Sequence, residues 1–219
     1  MRVATYTMSG TKHRQPLTSV LQQLQAQIVC VVDAPSPLTL RRIARGAGMD
    51  VVVAAGEKSR RTAVLAGPDV RVLSTDELVL PVEERRARDR SVAQAILGIG
   101  GIRLAAAACG FGPQFGERDR HSELVLSFLD SVAAPVVFGA DFNTSPRGEI
   151  PQRFAAVYLD GWEAAGGSVG NTYPTPDPST RRDMLFLSRE FEVVGASVPT
   201  DAPVDSAALH RPVIVDVAD

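Results

Sequence analysis

The chain has few cysteines, few aromatic residues and little net charge. Its 219 residues include two cysteines, and Cys30 and Cys109 both lie in apolar, strand-like runs. Thiols in such runs pack as small hydrophobes, so the sequence indicates no disulfide framework. Aromatic residues make up 5% of the chain, and its net charge is −2. That charge predicts no broad electrostatic grip on nucleic acid or an anionic membrane, and it leaves a local basic groove open.

Long hydrophobic runs are also absent. No apolar run approaches the ~20 residues needed to cross a bilayer. The N-terminal Met1-Arg-Val-Ala-Thr leads directly into strand-like sequence without a signal-peptide pattern. These observations predict a cytoplasmic protein with no membrane span. The length suits one substantial core and falls short of two ordinary domains, so we expect residues 1–219 to form a single domain.

The sequence contains many short apolar strands with helices between some of them. Helical spacing of apolar residues predicts helices at 17–27, 38–47, 122–132 and 152–159. Short apolar runs predict strands at 2–8, 28–32, 51–55, 62–65, 70–73, 91–97, 102–109, 136–138, 182–188, 191–198 and 212–217. Residues 81–90 are expected to be an exposed edge or loop, and 110–120 a glycine-rich loop. Runs of strands without intervening helices favour a layered α/β sandwich with mixed or antiparallel sheets over a regular parallel fold.

The central stretch of the chain is Pro135-Val-Val-Phe-Gly-Ala-Asp-Phe-Asn-Thr-Ser-Pro146. If the strand continues past Gly139, alternation places Asp141 and Asn143 on one face and Phe142 on the other. A carboxylate and a carboxamide at the end of a buried strand are costly to desolvate unless they are used. The alternative is an Asx-rich turn that only closes the strand.

Polar residues stand at the ends of other apolar strands too, which indicates one shared cleft. These residues are Thr7, Asp33 and His210, together with Arg181-Arg182-Asp183 at the start of a late strand. A histidine in this position is most often a structural group. A partner carboxylate that orients and charges the imidazole would make it functional, and Asp183 is the candidate partner.

Gly139-Ala-Asp-Phe-Asn143 resembles the Gly-Asp-Phe-Asn signature of the endonuclease/exonuclease/phosphatase superfamily, which includes deoxyribonuclease I and abasic-site endonucleases. Six further segments resemble the family's strands in the family's order and extend over almost the whole chain. They are residues 3–7, 28–33, 63–65, 103–109, 182–188 and 208–213. The resemblance implies a deoxyribonuclease I-like fold, a four-layer α/β sandwich with two mixed, largely antiparallel sheets.

The resemblance also implies a reaction, the metal-assisted hydrolysis of a phosphate ester by a phosphodiesterase, nuclease or phosphatase. Mg²⁺ or Mn²⁺ on oxygen ligands would polarise the phosphate. Asp141 would orient or deprotonate the attacking water, and Asn143 would donate a hydrogen bond to a phosphate oxygen. His210, held by Asp183, would donate to the developing charge.

Several positions depart from the family's pattern. Thr7 stands where the family has asparagine, Cys109 where it has histidine, and Asp33 where its main metal-binding residue is glutamate. Leu209 stands where the family has a second acidic ligand, and leucine cannot bind a metal. Arg120 lies where the family often has an arginine, although a solvated surface charge is the alternative. Because Thr7, Cys109 and Arg120 occupy positions of the family's site, the resemblance implies that they contact the substrate.

The metal-binding half of the site is thus reduced to Asp33, unless the nearby Asp205 supplies the missing ligand. One carboxylate implies weak binding of Mg²⁺ or Mn²⁺ with the substrate present. The alternative is a catalytically inactive protein of the same fold that acts as a binding or scaffolding partner. The substrate class stays open between nucleic acid, a small phosphorylated metabolite and a lipid headgroup. The arginine-rich segment 85–90 and Arg181-Arg182 either line a local groove or are solvated surface.

Overall fold

A computed structural model of the chain describes residues 1–10, 14–82 and 89–218. The strands are β1 (Arg2–Thr7), β2 (Ile28–Val32), β3 (Asp50–Ala55), β4 (Thr62–Ala66), β5 (Arg71–Leu80), β6 (Arg90–Ile99), β7 (Ile102–Gly110), β8 (Val136–Asp141), β9 (Leu159–Asp160), β10 (Asp183–Leu187), β11 (Val193–Ser197) and β12 (Val213–Val217). The helices are α1 (Arg14–Leu24), α2 (Pro37–Gly46), α3 (Phe115–Asp130), α4 (Glu149–Val157), α5 (Gly161–Ala164) and α6 (Val204–Ala207), with a short 3-10 turn at Lys58–Arg60.

In the described residues these strands form two six-stranded sheets. The strand order is β11-β12-β1-β2-β4-β3 in the first sheet and β5-β6-β7-β8-β10-β9 in the second. The pairs β1–β2 and β7–β8 are parallel, and the other strand pairs are antiparallel. Both sheets are therefore mixed and largely antiparallel, which confirms the predicted sheet type.

Three buried apolar clusters separate four layers. One cluster joins α1, α2 and α6 to the outer face of the first sheet, and a second joins α3 and α4 to the outer face of the second sheet. The third lies between the two sheets. Alternation along the strands produces this division, because in β10 Phe186 faces the helices while Leu185 faces the opposite sheet. The predicted four-layer α/β sandwich is confirmed.

The helices follow the sequence pattern that predicted them. In α1, Leu17, Val20, Leu21 and Leu24 are buried at positions i, i+3, i+4 and i+7, which is the spacing of one helix face. In α2, Pro37 occupies the first turn, where the missing amide hydrogen costs no helical hydrogen bond. Among the described helices, none is long and apolar enough to cross a membrane.

Gly139 allows the two sheets to approach each other closely beside the central motif. A Cβ atom at this position would lie 2.5 Å from the Cβ of Cys30 and 2.7 Å from the Cβ of Thr5, both in the opposite sheet. Two residues further on, alternation places Asp141 on the same inter-sheet face. The ends of β8, β10 and β1 are therefore brought together at the site.

The opposite face of the central motif is fixed by an aromatic cluster beneath the site. Phe142 stacks on Phe111 with ring centroids 4.9 Å apart, and it meets Phe138, Phe154 and Phe186 edge-on. These rings are all fully buried. As predicted, Phe142 and Asp141 point to opposite faces, and the packed rings hold the backbone that carries Asp141 and Asn143.

Some predicted elements differ from the structure. The loop predicted at 110–120 is wrong from Phe115 onwards, because α3 begins there and Arg118 already donates its backbone N–H to the carbonyl of Gln114. The strand predicted at 70–73 is the first part of the longer β5. The rest of β5 is mostly polar and exposed, and it is held in the sheet by its pairing with β6. Most of the predicted edge or loop at 81–90 lies outside the described residues.

Candidate active site

A cavity of about 300 Å³ opens where strand ends from both sheets meet. The side chains that line it are those of Ser9, Val32, Asp33, Arg60, Arg90, Phe111, Asp141, Asn143, Tyr173, Arg182, Leu209 and His210. Five of the residues predicted to share a cleft therefore lie around one cavity, namely Asp33, Asp141, Asn143, Arg182 and His210. Asp183 lies directly behind it, opposite Asp141 in the β10–β8 register.

Asp183 is fully buried and accepts hydrogen bonds from three side chains. Thr7 Oγ1 donates to Oδ1 at 2.5 Å, while Thr172 Oγ1 and His210 Nδ1 lie 2.6 and 2.7 Å from Oδ2. Burial alone would raise the pKa of Asp183, but the His210 charge and these hydrogen bonds outweigh it and lower that pKa. The carboxylate therefore stays ionised and orients the imidazole ring.

His210 is the positive partner in this pair. Burial acts to lower the pKa of His210, but the Asp183 carboxylate outweighs it, so the pKa lies above its ordinary value. Nδ1 of the ring is engaged by Asp183. Among the described residues no hydrogen bond reaches Nε2. This nitrogen is therefore available to a ligand in the cavity that His210 lines. A protonated His210 can thus donate from Nε2 to a negatively charged ligand.

Asp141 is paired with Arg182 across the cavity. Nε of Arg182 donates to Oδ1 of Asp141 at 3.2 Å, and Nη2 donates to Oδ2 at 2.9 Å. Burial and the neighbouring Asp183 carboxylate raise the pKa of Asp141, while His210 and Arg182 act against this rise. Asp141 is thus a buried carboxylate with both oxygens bound to the Arg182 guanidinium.

Tyr173, in the loop before β10, packs against Arg182 and His210. The guanidinium carbon of Arg182 lies 4.2 Å from the centroid of the Tyr173 ring, a cation–π contact. The imidazole of His210 lies against the same ring, with centroids 4.7 Å apart. Backbone hydrogen bonds in both directions between Tyr173 and Thr180 fix the loop that carries the ring.

Asn143 lies at the rim of the cavity in a left-handed backbone conformation, with φ of 54°. Asparagine is one of the few non-glycine residues that adopt this conformation readily. Its backbone N–H donates to Oδ1 of Asp141 at 2.8 Å, which is an Asx turn. The side-chain amide makes only a long, 3.4 Å bond from Nδ2 to the carbonyl of Phe111. That amide is weakly held and available to a ligand.

Asp33 projects a carboxylate that no described residue engages by a hydrogen bond or an ion pair. It follows β2 directly, and its backbone is also left-handed, with φ of 50°. Burial and the charge of Asp141 raise the pKa of Asp33 to about 6, against the opposing effects of Arg90 and His210. Asp33 is therefore protonated more easily than an ordinary aspartate.

Three arginines line the cavity, whereas the sequence pointed to Arg120 and left Arg181-Arg182 and the segment 85–90 open between a groove and solvated surface. Arg60 and Arg182 line it, as does Arg90, whose Nε donates to Glu117 at 2.7 Å. Arg118 lies nearby, and burial together with the charge of Arg182 lowers the pKa of Arg118. Positive side chains therefore crowd this end of the molecule.

The cavity adjoins a larger one of about 600 Å³, and the two share Ser9 and Asp33. The larger cavity has apolar walls from Leu17 and Ile43 and basic groups from Arg14, Lys58 and Arg61. A phosphate group fits the smaller cavity, and the larger one has room for an attached organic group.

The other residues predicted for the site lie elsewhere. Cys109 is fully buried among core residues, burial raises its pKa to about 12, and it does not line the cavity. Arg120 lies exposed on α3, away from the lining. Thr7 reaches the site only through Asp183. Asp205 does not replace the missing ligand, because it forms two hydrogen bonds with Arg211.

The residues around the cavity do not fit a protein-held divalent cation. Within the described residues, no group of three or more histidine, cysteine, aspartate or glutamate side chains is placed to hold a metal ion. Both oxygens of Asp141 are engaged by Arg182, and Leu209 presents an aliphatic side chain to the cavity. Asp33 is left as the single unengaged carboxylate, whereas Mg²⁺ in proteins needs further oxygen ligands.

The two mixed sheets and their four-layer packing are the fold of solved endonuclease/exonuclease/phosphatase proteins. The chain is similar in structure to a mannosyl-6-phosphatase of Bacteroides thetaiotaomicron, with 16% identity, full coverage of both chains and a TM-score of 0.85. It is also similar to an endonuclease/exonuclease/phosphatase from Bacteroides vulgatus, with 17% identity, 99% and 98% coverage and a TM-score of 0.81.

A further similar structure is truncated TDP2 of Caenorhabditis elegans, at 15% identity, with 100% of this chain and 97% of that chain covered and a TM-score of 0.75. No protein-family model matches the sequence, and no curated protein matches it. The structural similarity confirms the fold that the sequence motifs predicted.

Proposed function

We propose that the protein hydrolyses phosphate esters at this cavity. The observation that carries the proposal is the Asp183-held imidazole of His210, whose Nε2 serves the same cavity that Asp141 and Asn143 line. A charged donor, a carboxylate and a weakly held amide around one small cavity suit a phosphoryl group and an attacking water. The mannosyl-6-phosphatase of similar fold supports phosphate-ester chemistry for this architecture.

In the proposed reaction a water oxygen attacks phosphorus, and the bond between phosphorus and the ester oxygen breaks. A phosphoryl oxygen first competes with Asp141 for the guanidinium of Arg182, which frees the carboxylate to accept the proton of the attacking water. Asn143 donates to a non-bridging oxygen. His210 donates the proton on Nε2 to the departing ester oxygen, and Asp183 stabilises the imidazolium beforehand.

The sequence resemblance implied Mg²⁺ or Mn²⁺ at Asp33, and the cavity's residues do not fit such an ion as a resident cofactor. Each step above is therefore assigned to side chains of this chain alone. The phosphomonoester and phosphodiester classes both suit the cavity, because the adjoining cavity has room for the remainder of either substrate.

The test is hydrolysis of p-nitrophenyl phosphate and of bis(p-nitrophenyl) phosphate, each with EDTA, with Mg²⁺ and with Mn²⁺. We expect turnover that falls about 100-fold or more in His210→Gln and in Asp141→Ala. Arg71→Met is the matched control, because it removes an arginine far from the cavity. Arg71 pairs with Gly98 at one end of β6, whereas Arg90 lies at the other end. Turnover no higher than in Asp141→Ala under every condition would reject the proposal.

One observation favours a second candidate, a protein of this fold that binds phosphate esters without hydrolysing them. Arg182 engages both oxygens of Asp141, so neither oxygen is free to accept a hydrogen bond from an attacking water while the pair is intact. This candidate predicts that a phosphate ester binds at the cavity and is recovered intact. The same assay, combined with calorimetric binding of the ester, separates the two candidates.

A further inference from the structure

We infer that the cavity binds the phosphoryl group through arginine side chains and needs no divalent cation to do so. The inference rests on the proposed function in one respect, that the ligand carries phosphate. It concerns how the negative charge of that ligand is compensated.

The charges of the lining favour an anion over a cation. Three arginines line the cavity, against the two carboxylates of Asp33 and Asp141, and His210 adds a further positive donor when it is protonated. Asp141 and Arg182 neutralise each other, Glu117 pairs with Arg90, and Asp183 offsets a protonated His210. A metal ion would meet the surrounding guanidinium groups, whereas a phosphate would complement them.

Arg182 has the geometry that phosphate recognition requires. Its Nε and Nη2 atoms form a two-pronged contact with the carboxylate of Asp141, and the same fork matches two oxygens of a phosphate. The Tyr173 ring beneath the guanidinium holds it in place. Because the guanidinium is already oriented, little side-chain freedom is lost when a phosphoryl oxygen replaces a carboxylate oxygen.

Arg90 is fixed on the wall of the cavity by its own contacts. Nε donates to Glu117 at 2.7 Å and Nη1 to the carbonyl of Gly110 at 3.3 Å, and 11% of the side chain is exposed. Among the described residues no hydrogen bond reaches Nη2. This nitrogen can donate to a second phosphoryl oxygen without loss of either existing contact.

The experiment is calorimetric titration of the full chain with inorganic phosphate, once in EDTA and once in excess Mg²⁺. We expect dissociation constants that agree within about twofold between the two conditions. In EDTA, Arg182→Met should weaken binding by about tenfold or more, because a charge-assisted, two-pronged contact is lost. Arg71→Met removes the same charge far from the cavity and should leave the affinity unchanged.

Arg182→Met leaves Asp141 without its partner and can lower stability. The double variant Arg182→Met/Asp141→Asn removes both charges of the pair, so neither partner is left buried and unpaired and the test stays valid. It should bind phosphate more weakly than Asp141→Asn alone. Phosphate binding that requires Mg²⁺, or none under either condition, would overturn the inference. Phosphate binding in EDTA without ester hydrolysis would instead reject the proposed hydrolysis and leave the inference standing.

Discussion

Arg182 holds both carboxylate oxygens of Asp141, with contacts of 3.2 Å from Nε and 2.9 Å from Nη2. Asp141 belongs to the central motif of β8, while Arg182 immediately precedes β10, and the two strands pair with Asp141 opposite Asp183. A cation therefore occupies the place beside Asp141 that a water molecule or a metal ion would need. Several properties of the protein follow from this pair and its neighbours.

Replacement of Arg182 should destabilise the protein through Asp141. Arg182→Met leaves a buried carboxylate without its ion pair, so we expect the free energy of unfolding to fall by about 1–3 kcal/mol. Urea denaturation at neutral pH measures the change. The double variant Arg182→Met/Asp141→Asn should recover most of the loss. Equal losses in the single and double variants would show that the pair does not contribute.

Asp183 should raise the pKa of His210 in solution. NMR titration of the His210 imidazole, assigned with His210→Gln, should give a midpoint above the ordinary value of 6.5. Asp183→Asn removes the largest effect that opposes burial and leaves the weaker effect of Asp141, so the midpoint should fall. A midpoint that Asp183→Asn leaves unchanged would contradict the assigned pair.

The same pair predicts how stability varies with pH. The pKa of Asp183 is lowered in the folded state, so its contribution is present above about pH 4 and is lost as the pH falls through the folded value. The pKa of His210 is raised, so its contribution is complete below about pH 6.5 and is lost as the pH rises through the folded value. The stability lost in Asp183→Asn should therefore be greatest between these limits, as measured by urea denaturation across the pH range.

An aspartate at position 209 should allow the cavity to bind a divalent metal ion. Leu209 lines the cavity and is 45% exposed, so Leu209→Asp adds a carboxylate near Asp33 at little cost to the core. We expect calorimetry to detect Mn²⁺ binding to this variant and not to the wild type, since two carboxylates suit a divalent ion better than one. Leu209→Asn is the matched control of equal size without charge. Equal Mn²⁺ affinity in the wild type and Leu209→Asp would contradict the fit described above.

A methyl group at position 139 should separate the two sheets behind the site. Its Cβ would lie 2.5 Å from that of Cys30, so Gly139→Ala should lower the free energy of unfolding by about 1–3 kcal/mol. Gly116→Ala is the control, because the nearest atom to its Cβ is Arg120 Nη1 at 3.9 Å and the residue lies in α3. That change should leave the stability equal or raise it by up to about 1 kcal/mol. Similar losses of unfolding free energy in both variants would show that the close approach of the two sheets at Gly139 is not the cause.

The sequence carried enough information for the fold and for the polar face of the site. Apolar runs and their order predicted the sheets, and strand-end polar residues predicted that Asp33, Asp141, Asn143 and His210 would meet. These signals are local in the chain, because each side chain lies at the end of a strand whose pattern is visible. The pairing of Asp183 with His210 was also predicted, and the structure gives 2.7 Å between them.

The positive half of the site could not be predicted in the same way. Arg90 and Arg182 lie in arginine-rich segments, where a solvated charge and a groove residue look alike in sequence. Thr172 and Tyr173 lie in an irregular loop whose course depends on contacts with Thr180 and Asp183. Cys109 was expected at the substrate because it aligns with a family position, but alternation along β7 turns its side chain into the core.

The most direct test of an arginine-based phosphate site is the effect of Asp33→Asn on the affinity for inorganic phosphate in EDTA and in Mg²⁺. Asparagine tolerates the left-handed backbone at this position, so the substitution removes charge and little else. The account predicts that phosphate binds about three- to tenfold more tightly in both conditions, because a negative charge that repels the phosphate has been removed. Weaker binding of phosphate by Asp33→Asn in Mg²⁺ would show that Asp33 holds a cation, and it would contradict the account.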